Sequence, residues 1–209
     1  MPHPALLPLA SSHVALLPAL SAVAPGIYVV GGLVLLTVIW AVATYNSLVR
    51  ARNHCDESWS DVDTELKRRH DLIPNLVETV KGYAAHEQET LVRVVEARNR
   101  AASPHTSPAD QARDEDRLTR GIRGLFLLKE SYPELKANRN FLALQEELAT
   151  TENRIQRARR FYNANVRDLA NLVESFPSSV LARMYGFRRR EYFEIEDASE
   201  RSVPTVDLS

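Results

Sequence analysis

Residues 141–176 read FLALQEELATTENRIQRARRFYNANVRDLANLVESF. Phe141, Leu148, Ile155, Tyr162, Leu169 and Phe176 fall seven apart, and Leu144, Thr151, Ala158, Asn165 and Leu172 fall three residues after each of the first five. Positions three and four apart share one face of a helix with 3.6 residues per turn. A seam sustained over this length predicts a long helix lying beside another at a shallow angle. Asn165 is a polar residue at a seam position, so its expected role is structural, setting the register of the packed helices.

Outward toward the amino terminus a second seam appears. It runs Leu48, Cys55, Trp59, Val62, Leu66, Ile73, Leu76, Val80, Tyr83, with Arg69 as the charged exception. Pro74 lies inside this seam, which stays in phase on both sides. A kinked continuous helix therefore fits better than a hairpin, with Asp71 or Asn75 placed to satisfy backbone groups that proline frees. Ala102–Pro108 reads as a loop, and Asp110 as the cap of a helix passing through Leu118, Ile122, Leu125 and Phe126 toward Glu130. Gly121 and Gly124 either weaken that helix or permit close packing. Tyr132-Pro133-Glu134 begins the next helix, and Phe176-Pro177 ends it. Ser178 or Ser179 starts a short helix closed by Gly186. Residues 188–209, arginine-rich and then acidic, are expected to pack partly and then fray.

The first 49 residues carry no Lys, Arg, Asp or Glu, because the first cation is Arg50 and the first acid Asp56. Within them residues 27–45 read IYVVGGLVLLTVIWAVATY. At 1.5 Å per residue this stretch reaches about 28 Å, the thickness of a bilayer's hydrocarbon core. Tyr28, Trp40 and Tyr45 stand where interfacial aromatics belong. A buried core helix is the bland alternative. A cleaved signal peptide is the sharper one, since Ala22-Val23-Ala24 has the small-x-small pattern. Against it stand Pro25, the lack of a basic n-region, and the prolines at 8 and 18. Prolines at 2, 4, 8, 18 and 25 predict a poorly ordered tail over residues 1–26. Arg50 and Arg52, with Lys67, Arg68 and Arg69 beyond, place the tail outside and the charged body in the cytoplasm. The fold class is thus all-α: an N-terminal transmembrane helix over 27–45, then an elongated antiparallel helical bundle with coiled-coil-like packing over 46–187.

Composition limits the chemistry. There are 26 Lys+Arg against 27 Asp+Glu and one cysteine. A net charge of −1 argues against a general nucleic-acid binder, and a lone cysteine forms no internal disulfide. Cys55 lies close enough to the membrane segment for acylation, but its seam position favours a buried small hydrophobe. None of the histidines has Glu three residues before it, and no phosphate loop or nucleophile elbow occurs, so no catalytic residue, metal ligand or cofactor site is assigned. The most suggestive cluster is Lys67, Arg68, Arg69, His70 and Asp71, with Pro74, Asn75 and Lys81 on nearby turns. It reads either as an anion or partner site or, more simply, as an ion-pair lattice in which Arg69, aimed at the seam, finds a buried carboxylate. Arg154, Arg157, Arg159 and Arg160 beside Phe161 and Tyr162 read as a solvated face rather than an RNA surface.

Several stretches resemble the LemA family of bacterial membrane-anchored proteins: YNSLVRARN (45–53), DTELKRRHDLIPNLVETVKGYAAHE (63–87), VVEARNRA (94–101), YPELKANRNFLALQEELATTENRIQRARRFYNANV (132–166), ESFPSSVLARMYGF (174–187) and EYFE (191–194). The resemblance implies one amino-terminal membrane helix, a helical-bundle domain in the cytoplasm, and no defined reaction. Some family members are associated with membrane metallopeptidases or magnetosome membranes. The long proline-rich tail departs from the family pattern. The expected function is a membrane-anchored scaffold or accessory protein in the cytoplasmic membrane, with other membrane proteins or a second copy of itself as partner. The alternative is a regulator or subunit of a membrane enzyme such as a metallopeptidase, or an enzyme built on the Arg/Asp groups near Pro74.

Overall fold

Every regular element among the described residues is helical. The computed structural model describes the backbone of residues 16–194 and the side chains of residues 26–194. The elements are α1 (Leu16–Lys81), α2 (Gln88–Ala101), α3 (Pro108–Leu128), α4 (Pro133–Lys136), α5 (Arg139–Glu174) and α6 (Ser178–Met184). The chain divides into two units, Met1–Ser47 and Leu48–Ser209.

In the first unit α1 is long and apolar enough to cross a membrane by length and composition. Its large apolar side chains from Ile27 to Val42 are exposed. Thr37 donates its hydroxyl to the Leu33 carbonyl at 2.8 Å, so the one hydroxyl near mid-span carries no unmet hydrogen-bonding need into an apolar medium. The expectation of a poorly ordered tail falls partly on residues 1–15, which lie outside the described residues; from Leu16 the backbone is helical.

In the second unit α1 passes through Pro74 without interruption, as its unbroken seam implies. Leu48, Cys55, Val62, Leu66, Ile73, Leu76 and Val80 are buried, and so are Phe141, Leu148, Ile155, Tyr162 and Leu169 of α5. The two seams face each other in opposite directions: Asn165 reaches the His54 carbonyl, and Glu152 reaches Arg69. The core has two apolar clusters. One gathers Ile73, Leu76 and Val80 of α1, Ala84 just past its end, the buried face of α2, Leu118 to Leu125 of α3, Leu135 of α4, and Phe141 and Leu148 of α5. The other holds Cys55, Val62 and Leu66 of α1, Ala112 of α3, Ile155 to Leu169 of α5, and Phe193. Among the described residues no α2 side chain belongs to the second cluster, whereas Phe193 from the terminal segment does. Phe193 lies edge-on to Trp59 at 5.5 Å, and Trp59 meets Tyr162 at 5.1 Å. Asn163 clamps the segment by accepting from the Phe193 N–H at 3.0 Å and donating to its carbonyl at 3.1 Å. Of residues 188–194 Phe193 is buried and the others are exposed; the fraying expected farther on falls on residues outside the described ones.

Local boundaries follow side-chain caps. Ser107, not Asp110, caps α3: its hydroxyl accepts from the Asp110 N–H, with Pro108 at the first helical position. The helix expected to start at Pro133 is interrupted after one turn, because Asn138 caps a new start by accepting from the Phe141 N–H at 2.9 Å. Gly186 takes φ +72° just past α6, the left-handed conformation that terminates helices.

Candidate functional site

Between the two apolar clusters lies a buried polar layer centred on Arg69, which is 1% exposed. α1 delivers Arg69 and His70 on its inward face, α3 delivers Glu115, and α5 delivers Glu152. One Glu115 oxygen accepts from the Arg69 Nη2, and the other lies 2.8 Å from His70 Nε2. Arg69 Nη1 donates to Glu152 at 2.9 Å and to Thr119 Oγ1 at 3.1 Å. Arg69 Nε has no hydrogen-bond partner among the described residues. Burial alone pushes the Glu115 carboxyl up. The His70 hydrogen bond and the Arg69 charge more than offset this, so the carboxyl sits below its ordinary value. It is therefore ionised near neutrality, and His70 Nε2 must carry the proton of their hydrogen bond.

Other members of the suspected cluster do not join this layer. Lys67 is exposed and pairs with Asp63 at 2.6 Å, one turn back on α1. Arg68 faces outward, 3.9 Å from Glu65. Asp71, Pro74, Asn75 and Lys81 are exposed. Thus α1 splits the sequence-adjacent charges: Arg69 and His70 turn inward, and the rest turn to solvent.

Pro74 explains a further contact. A residue at 74 would normally donate its N–H to the His70 carbonyl, and proline cannot. Arg98 of α2 supplies the missing donor, with its Nε 3.2 Å from that oxygen. Neither Asp71 nor Asn75 performs this role. The same segment of α1 is therefore tied to α2 through Arg98, to α3 through Glu115 and to α5 through Glu152.

Sequence reasoning missed Glu115, although a signal existed. Ala112, Glu115, Leu118, Ile122 and Leu125 form a seam at steps of three and four. Glu115 is its charged exception, as Arg69 is on α1. Asn165 donates to the His54 carbonyl at 3.2 Å, linking α5 to α1. The basic run divides: Arg154 approaches Glu65 at 4.0 Å, and Arg157 is exposed. Arg159 and Arg160 border a groove of about 380 Å³ between α3 and α5, whose apolar lining includes Ile122, Phe126 and Leu148. Cys55 is buried, and burial raises its thiol pKa. Burial, reinforced by the Cys55 group, pushes the Tyr162 phenol up to about 12.

Comparison with known proteins places these features. The profile of the LemA family matches residues 58–208. Protein LemA of Metamycoplasma hominis is 24% identical over 170 residues, covering 80% of this chain and 76% of its own length. Magnetosome protein MamQ 2 of Paramagnetospirillum magneticum is 24% identical over 202 residues, covering 83% of this chain and 74% of its own. Magnetosome protein MamQ of Magnetospirillum gryphiswaldense is 22% identical over 189 residues, covering 78% and 70%. With the family profile matching well over half its length, the chain belongs to the LemA family.

Proposed function

We propose that this LemA-family chain is a single-pass protein of the cytoplasmic membrane. Its charged helical unit lies on the cytoplasmic face and acts by binding, as a scaffold or accessory subunit for another membrane protein or for a second copy of itself. The observation that carries this reading is the junction after residue 45. An uncharged segment with exposed apolar side chains ends there, and the first charges beyond it are Arg50 and Arg52. An exposed apolar helix needs an apolar surrounding, and flanking arginines favour the cytoplasmic side. Polar groups in the core support binding over catalysis, since Arg69, Glu115 and His70 engage one another. On the surface, exposed Phe161 stands beside Arg157 and Arg160 on α5, a composition enriched at protein interfaces.

The test is crosslinking in intact cells, followed by membrane purification and mass spectrometry, with a variant lacking residues 1–45 as control. A recurrent partner, or a self-crosslink, that disappears with residues 1–45 is the expected result. Crosslinks unchanged by that deletion would refute an anchored adaptor.

A further inference from the structure

We propose that α6 and the arginines around it form a membrane-contact surface. The end of the helical unit nearest its own first residue would rest on lipid carrying anionic headgroups. This proposal rests on the reading of residues 27–45 as a membrane span.

Three observations converge. The first is an apolar stripe. Leu181 and Ala182 turn α6 into the bundle. Val180 and Met184, one turn apart on its other side, are 57% and 65% exposed, and Phe176 just before the helix is 85% exposed. A seven-residue helix that leaves such side chains uncovered is unusual for a surface facing only water.

The second observation is position. Asn165 of α5 bonds the His54 carbonyl of α1, and α5 then runs on, opposite in direction to α1, until Glu174. Its end therefore lies toward Leu48. Beyond α6 the Phe187 ring sits 5.4 Å from the Arg52 guanidinium, one turn from Leu48. Residue 45 precedes Leu48 by three positions, so the chain itself limits their separation to about 11 Å. If residue 45 lies at the edge of the hydrocarbon, this end of the unit lies within reach of the headgroups.

Charge is the third observation. From Ser175 to Arg190 the chain carries Arg183, Arg188, Arg189 and Arg190 and no acid, and Arg50 and Arg52 precede the first acid at Asp56. Arg189 approaches Glu174 at 3.8 Å, and Arg190 pairs with Asp56. Arg183 and Arg188 are exposed. Apolar side chains interleaved with arginines match the boundary between acyl chains and anionic headgroups.

The experiment uses the full chain reconstituted into phosphatidylcholine vesicles with and without phosphatidylglycerol. An environment-sensitive fluorophore is attached at Val180→Cys or Met184→Cys, with Val92→Cys on α2 as a water-facing control. Native Cys55 is buried, and the unsubstituted chain measures its background labelling. Labels at 180 and 184 should shift to the blue and be quenched severalfold more than the label at 92 by lipids brominated in their acyl chains. Phosphatidylglycerol should strengthen the effect, and Arg183→Gln with Arg188→Gln should remove that strengthening. A chain that floats with the vesicles while all three labels behave alike would overturn the lipid contact and leave the anchor intact. Failure to float would overturn both. Disulfide or bismaleimide crosslinking between copies through the cysteine placed at 180 or 184 in the vesicles, with labels at these positions no more quenched by brominated lipid than the label at 92, would assign the stripe to a second copy of the chain and so also overturn the proposal.

Discussion

Replacing Glu115 by Gln preserves shape and removes the charge that Arg69 and His70 share. Both partners are buried, so the variant leaves a guanidinium in the interior with one remaining carboxylate, Glu152 at 2.9 Å. Breaking a buried pair by removing one partner costs about 3–5 kcal/mol. Because Glu152 stays in place, the lower end, about 3 kcal/mol, is expected. For a unit of this size 1 kcal/mol corresponds to about 2–4 °C, so Tm should fall by about 6–12 °C. The assay is thermal melting of the purified full chain in mild detergent, followed by circular dichroism. A second variant, Arg69→Met with Glu115→Met, removes both charges and fills similar volume, and such replacements are often neutral. It should recover most of the lost stability, so that it costs well below the sum of Arg69→Met and Glu115→Met measured singly, the two other corners of the double-mutant cycle. A single variant within about 1 kcal/mol of the parent, or a double variant as unstable as the sum of both singles, would refute a buried, mutually dependent pair.

Other consequences follow from the same layer and its neighbours. The Glu115 carboxyl is held below its ordinary value of 4.5, so its stabilising contribution is present above pH 4.5 and fades as pH falls through the lowered folded value. The parent should lose stability in that acid window more steeply than Glu115→Gln, as measured by denaturant midpoints across the range. Arg98→Ala should cost about 1–2 kcal/mol by orphaning the His70 carbonyl, and less in a Pro74→Ala background, where the substituted residue supplies its own N–H. Equal cost in both backgrounds in urea titrations would disprove that substitution of donors. Gly124→Ala should stabilise α3 by roughly 0.5–1 kcal/mol because its new methyl meets nothing within 4 Å. Gly121→Ala places a methyl 3.1 Å from Val94 Cγ2 and should gain less; melting the two side by side decides the order.

The helical seams were legible because each stays in phase for many turns, and the need of Arg69 for a carboxylate followed from its place on one of them. What could not be read was which carboxylate. Glu115 lies on a helix whose pairing with α1 is a tertiary fact, although its seam position marked it as a charge headed inward. Counting four residues back from Pro74 identifies His70 as the orphaned carbonyl, yet the donor comes from α2, and no local rule names Arg98. Asn138 and Ser107 were readable as caps; the prolines at 133 and 108 and the acid at 110 drew attention one turn away. Adjacent charges misled in a different way. Lys67 to Asp71 look like one cluster along the chain, but a helix turns 100° per residue, and only Arg69 and His70 share the buried side.

Anchoring with the helical unit in the cytoplasm is tested most directly by trypsin. The chain has no Lys or Arg before Arg50 and 26 from there on, so every cleavable bond lies on one side of residues 27–45. In inverted inner-membrane vesicles trypsin should digest the helical unit and leave a membrane-bound fragment of about the first 50 residues. In spheroplasts with the outer face exposed the chain should remain full length. Digestion in spheroplasts and protection in inverted vesicles would contradict the account.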